Sequence, residues 1–87
     1  MVVSDADAAM ACVRFADDAR LLVEVSCGAA LAAAYRGDLR ASVGKDLTDA
    51  EWAQQNVVLI VCGGSGVSLQ LLDRYTQEYG PHSTIKV

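Results

Sequence analysis

Cys62, Gly63, Gly64, Ser65 and Gly66 form the stretch of this chain in which a reactive side chain stands beside backbone free to approach a ligand closely. A thiol is a weak hydrogen-bond donor and a soft nucleophile, and consecutive glycines leave room for a flat or charged group against the main chain. Three chemistries use such a turn. A dinucleotide fingerprint would take Gly64 and Gly66 and require a third glycine where Leu69 stands, and that large side chain would hold the following helix off the strand. A nucleophile elbow would make Ser65 the attacking hydroxyl, yet Val67 occupies the place of its second glycine and no histidine and acid pair is at hand. The third chemistry, a cofactor ring nitrogen facing Cys62, has no motif that the residues alone define.

The other reactive residues lead to plainer readings. Lys45 after Gly44 invites a phosphate loop, but that motif needs a glycine at Leu39 and a hydroxyl residue at Asp46. Asp17 and Asp18 are a carboxylate pair at the end of a helical pattern and read as solvated surface. His82, the sole histidine, follows the last helix and has no carboxylate or nucleophile placed to orient it. Cys12, Cys27 and Cys62 are an odd number without a CxxC spacing, so neither a disulfide framework nor a metal site is expected. Cys27 reads as a small core residue. No catalytic residue and no metal ligand is assigned.

The elements that must position the turn follow from periodicity. Val57 to Cys62 reads as a strand buried on both faces, followed by the glycine turn and a helix that begins at Val67. The fold class expected is α/β, with the turn at the carboxyl end of the strand, where open sheets hold ligands. Val2 and Val3 read as a strand end, and Ser4 with Asp5 and Asp7 as a helix start, the hydroxyl capping and the acids favouring the positive end of the dipole. An apolar stripe runs through Ala8, Ala9, Cys12, Val13, Phe15 and Ala16. Leu21 to Val25 reads as a strand or extended connector, Ser26 as a second cap, and Cys27 to Tyr35 as a helix of small residues suited to close approach. Gly37 to Asn56 reads as a surface loop, with Thr48 and Glu51 as a capping box for one short turn and Trp52 over an apolar patch. Gly80 and Pro81 stop the last helix, and Thr84 to Val87 reads as a frayed end or edge strand.

Composition sets the outer bounds. At 87 residues the chain is at most one domain with a small core, and its 53% hydrophobic content is mostly Ala, Val and Leu. A net charge of -4 without any basic run argues against a nucleic-acid surface. No apolar run approaches the ~18 residues of a membrane span, and no secretory leader is recognisable. A cytoplasmic protein with reduced thiols is expected.

Two blocks, VSDADAAMACVRFADDARLLVEVSCGAALAA and VVLIVCGGSGVSL, together resemble the C-terminal part of the pyridoxal-phosphate-dependent L-serine and L-threonine dehydratases. The resemblance runs from Val3 to about Gly80. It implies the fold of the tryptophan synthase β-subunit, with residues 1–87 as the C-terminal part of the large domain and a buried strand leading to the glycine turn. Pyridoxal 5'-phosphate is the implied cofactor, with Cys62 facing its ring nitrogen and Gly63 and Gly64 beside it. A thiol is a weak, neutral partner, so the ring nitrogen should not be held as a pyridinium.

The implied reaction is removal of water and then ammonia from L-serine or L-threonine, giving pyruvate or 2-oxobutyrate, in a homodimeric full enzyme. The family's cofactor-holding lysine lies in a Ser-x-Lys-x-Arg context, and its phosphate is held by a separate run of glycines. Neither occurs here, so the chain alone is expected to be inactive. Val25 stands where the family commonly has proline, Gly66 stands where it often has asparagine, and Glu24 matches the family's glutamate. The alternative is a truncated, non-catalytic protein that binds a partner through its uncovered surface.

Overall fold

Ser4 opens the first helix as the sequence predicts: its Oγ accepts from the Asp7 amide at 3.1 Å, and the helix runs Asp5–Ala19 (α1). The computed structural model describes residues 2–64 and 66–87. Beyond α1 come Val25–Tyr35 (α2), Asp38–Ser42 (α3), Asp49–Ala53 (α4) and Leu69–Tyr79 (α5), with a 3-10 turn at Gly80–His82. Ser68 caps α5 through the Leu71 amide, and the Thr48 and Glu51 capping box of α4 is formed on both sides. Arg20, in the left-handed region at φ 58°, closes α1. Ser26 is not the cap of α2. Glu24 holds that place, and Val25 is the first helical residue, a position that also tolerates proline.

The core is helix on helix. Asp7, Ala8, Ala9, Met10, Ala11 and Cys12 are all buried, so the first half of α1 is covered on every side. α2 packs along it, with Cys27, Leu31 and Ala32 facing in, and α5 brings Leu72 with half-buried Tyr75 and Tyr79. Gly28 marks the closest approach, since a Cβ there would fall on the Ala8 carbonyl oxygen and lie 2.5 Å from Cys12 Sγ. The connector carries Val23 into this core, and the C-terminal tail adds Ile85.

The expected α/β fold with a buried strand is not observed: among the described residues there is no strand. Val57 to Cys62 takes up no regular secondary structure, and Val58 and Ile60 are 84% and 80% exposed. β-branched residues favour an extended backbone, but a strand exists only where another strand takes up its amides and carbonyls. Here α1, α2, α5 and the tail bury their apolar faces against one another and leave the stretch in water. Val2 and Val3 form no strand either, and Leu21 to Glu24 is a connector.

The tail is neither frayed nor an edge strand. Asp7, one of the two acids expected merely to favour the helix dipole, accepts from Ser83 Oγ at 2.7 Å, from the Thr84 amide at 2.8 Å and from Thr84 Oγ1 at 3.1 Å. Arg36, at the end of α2, lies 3.4 Å from its other oxygen. Burial opposes ionisation of this carboxyl, but the two hydroxyls, the amide and the guanidinium outweigh it and hold the pKa below the usual carboxylate value. Gly37 to Asn56, expected as a surface loop with one short turn, carries the two short helices α3 and α4, tied by Arg40, which donates to the carbonyls of Gly44 and Leu47 and to Asp49 and lies over the ring of Trp52. Trp52 therefore covers an arginine and Gly44, rather than the apolar patch expected of it.

Gly28→Ala should lower the unfolding free energy by roughly 1–3 kcal/mol, because helix backbones at that crossing have no room to separate without opening the core. Gly63→Ala, where an added Cβ meets nothing within 4 Å, should have little effect in the same denaturant titration. The Asp7 contacts give stability a definite pH dependence. A carboxyl with a depressed folded pKa stabilises fully above its unfolded value of about 3.9, and that contribution is lost as pH falls through the folded pKa. Asp7→Asn should cost about 2 kcal/mol at neutral pH and flatten the acid limb of a stability-against-pH curve.

Candidate functional site

The sequence-predicted turn rests on a segment far from it in the chain, Leu22 to Cys27. Cys62 ends the exposed apolar stretch, and its backbone amide points at Cys27 Sγ, 3.4 Å away in the first turn of α2. Cys62 is exposed, whereas Cys12 and Cys27 are buried. Gly63 has open space where a side chain would be. Gly64 lies against the connector before α2: a Cβ there would strike the Leu22 carbonyl oxygen and sit 2.9 Å from Val67 Cγ1. The Val67 amide closes the turn on the Gly64 carbonyl at 3.2 Å. Ser65, offered by the sequence both beside the cofactor and as an elbow nucleophile, lies outside the described residues.

Glu24 organises these parts. Its Oε1 accepts from the Gly66 amide at 3.3 Å, while its carbonyl accepts from the Cys27 and Gly28 amides that begin α2. The same carbonyl accepts from Cys12 Sγ at 3.4 Å. Burial and the neighbouring Cys27 push the Cys12 thiol up to about 11, so it stays protonated and serves as a donor. Glu24 thus links α1, α2 and the glycine turn. The sequence carried one signal for this role: a lone acid inside the apolar run Leu21 to Val25 needs a partner.

The remaining candidates stay apart from the turn. Asp17 pairs with Arg20, and Asp18 pairs with Arg14 and accepts from the Tyr35 hydroxyl, which burial and that acid push up to about 12. Lys45 and His82 are exposed, and Lys86 Nζ donates to the Gly80 carbonyl. Among the described residues no group of three or more His, Cys, Asp or Glu could hold a metal ion, and no helix is long and apolar enough to cross a membrane. Chemically, the turn offers an exposed thiol beside an open main chain at Gly63, which is room for a flat ring. It offers less to a phosphate, because the Gly66 amide is already taken by Glu24.

Comparison with known proteins bears out the resemblance to the serine dehydratases. The chain is 49% identical over 73 residues to a rat protein named serine dehydratase-like, a match covering 82% of this chain and 21% of that protein. It is 46% identical over 74 residues to the L-serine dehydratase of Dictyostelium discoideum, covering 84% of the chain and 19% of the relative. With the rat L-serine dehydratase/L-threonine deaminase the identity is 39% over 85 residues, covering 98% of the chain and 23% of the relative. No protein-family model matches the chain. The chain is therefore a relative of the serine dehydratases along most of its own length, and it spans about a quarter or less of theirs.

If Glu24 holds the turn, Glu24→Ala should speed hydrogen exchange at the Gly66 amide by about tenfold, the equivalent of ~1.4 kcal/mol. Glu24→Gln keeps an acceptor oxygen and should change it far less. Equal exchange in all three proteins, followed residue by residue, would remove Glu24 from this role.

Proposed function

We propose that this chain is the C-terminal part of a pyridoxal-phosphate-dependent dehydratase that removes water and then ammonia from L-serine or L-threonine, yielding pyruvate or 2-oxobutyrate. The observation that carries the reading is the identity of 39–49% to the three named relatives, reaching over as much as 98% of the chain. The turn fits the ring end of the cofactor, since Cys62 is exposed and Gly63 is open beside it. The full enzyme is read as a cytoplasmic homodimer acting on a small amino acid, and the three free thiols accord with a reducing compartment.

Within that enzyme each residue of the turn has a physical task. The Cys62 thiol would meet the ring nitrogen of the bound cofactor as a weak hydrogen-bond partner. Unlike a carboxylate, a thiol supplies no full negative charge to keep a proton on that nitrogen. The open backbone at Gly63 lets the ring lie close, and Gly64, pressed on the Leu22 carbonyl, fixes where the main chain turns. Glu24 holds the Gly66 amide and so sets the far side of the turn. Bound there, pyridoxal phosphate supplies an electron-withdrawing ring that stabilises charge at the substrate's α-carbon. Lys45 and Lys86 stand in neither the Ser-x-Lys-x-Arg context nor a run of glycines, so this chain contributes cofactor placement and not proton transfer.

A second reading is favoured by the exposed apolar stretch from Val57 to Val61, which suits a non-catalytic protein that docks on a partner. The two are separated by complementation. Mixed with pyridoxal phosphate and L-serine, the chain alone should release no ammonia. Combined with the remainder of the rat L-serine dehydratase/L-threonine deaminase, it should restore turnover, and Cys62→Ala should weaken cofactor binding about tenfold. Cys12→Ala should act only through packing. Stable association without turnover would favour the docking reading, and an unaltered Cys62→Ala complement would remove the thiol from the ring.

A further inference from the structure

We propose that Cys27 and Cys62 form a peroxide-responsive thiol pair, in which Cys62 is the sulfur oxidised first and Cys27 the sulfur that resolves it into a disulfide. The geometry carries the pairing. Cys27 Sγ lies 3.4 Å from the Cys62 amide nitrogen. The Cys62 Cα is about 1.46 Å from that nitrogen, so it lies within about 5 Å of the Cys27 sulfur. The Cys27 sulfur is itself two bonds, roughly 2.8 Å, from its own Cα, so the two Cα atoms are no more than about 8 Å apart, and a small shift of the Cys62 backbone brings them within the ~4.4–6.8 Å that a disulfide spans.

The two thiols also differ in the way the chemistry requires. Cys62 is exposed at the end of a stretch without regular secondary structure and next to Gly63, so its backbone can shift without breaking a helix or a strand. Cys27 is 5% exposed in the first turn of α2, which hides it from bulk oxidant but leaves its sulfur against the Cys62 main chain. Cys12 does not compete. It is fully buried, it is occupied as a donor to the Glu24 carbonyl, and its thiol is held protonated.

The steps balance with hydrogen peroxide as the oxidant. The Cys62 sulfur attacks one peroxide oxygen, the O–O bond breaks, and water leaves, giving a sulfenic acid at Cys62. The Cys27 sulfur then attacks the Cys62 sulfur, the S–O bond breaks, and a second water leaves as the S–S bond forms. One peroxide is reduced and two thiols are oxidised. A dithiol reductant reverses the result. The link would also take away the thiol that the cofactor reading assigns to the ring nitrogen, but the pairing itself rests on the sulfur geometry and not on that reading.

The test uses the 87-residue chain without cofactor. After brief exposure to dilute hydrogen peroxide and blocking of free thiols, peptide mapping by mass spectrometry should find Cys27 joined to Cys62 within one chain and Cys12 unmodified. Dithiothreitol should restore both thiols. Cys62→Ser, a change at an exposed site, should leave Cys27 reduced under the same treatment, and Cys12→Ser should leave the link in place. A Cys12–Cys27 link, a Cys62–Cys62 link between chains, or over-oxidised Cys62 beside free Cys27 would each overturn the pairing. None of these outcomes depends on whether the chain binds pyridoxal phosphate.

Discussion

Six consecutive residues of a helix can be buried only if the helix has neighbours on every side, and the run from Asp7 to Cys12 imposes that condition on the rest of the chain. The ordinary amphipathic helix buries a stripe and leaves the other face wet. α1 escapes this pattern because three of its six buried residues, Ala8, Ala9 and Ala11, are alanine, whose side chain lets neighbouring backbones come close. Gly28 in α2 completes the approach. Asp7 completes the enclosure by a different force, since a buried carboxylate needs hydrogen bonds and a countercharge. Ser83, Thr84 and Arg36 supply them, and in doing so the tail and the end of α2 are drawn to the same end of α1.

The candidate site is a consequence of that packing. With α2 pressed onto α1, the carbonyl of Glu24 stands over Cys12 and its carboxylate is left to face outward, where the Gly66 amide meets it. The turn is therefore positioned by a helix start and a connector. Leu22 contributes only its carbonyl oxygen, against which Gly64 must remain a glycine. Among the described residues such a turn is held by few contacts, made by backbone groups, the Cys27 sulfur and Glu24. Its geometry should respond to changes at Glu24 more than to changes along the exposed stretch before it.

What could be read from the sequence was what neighbouring residues decide among themselves. The Ser4 cap, the Thr48 and Glu51 box, the Gly80–Pro81 stop and the packing role of Cys27 all depend on residues within a turn or two. The errors arise where distance in the chain intervenes. Val57 to Cys62 has the composition of a buried strand, but composition cannot supply the second strand, and the helices found better cover in each other. Ser26 has the better capping side chain, yet the helix starts after Glu24, whose carboxylate caps no amide of α2 and is committed across the structure to Gly66. Asp7 read as a dipole residue because its partners, at the opposite end of the chain, cannot be inferred from spacing. Cys62 was legible as a residue of interest, whereas its neighbour Cys27 was not, since no spacing rule joins the two.

The arrangement also separates placing a ligand from transforming it. At the turn the described side chains that carry polar or reactive atoms include the Cys62 and Cys27 thiols and the Glu24 carboxylate, and Glu24 is engaged with backbone. A base that moves a proton must be free to reach the reacting carbon and must have a pKa matched to the task. Glu24 is held on the Gly66 amide, Cys27 is buried, and Cys12 is locked as a donor to a carbonyl. On the dehydratase reading, then, these residues would hold the ring in place, and the energy they contribute would be expressed as binding. Position still matters to rate, because a ring displaced by an ångström misaligns the bonds that break, and losses of that kind reach about a hundredfold without removal of any catalytic group.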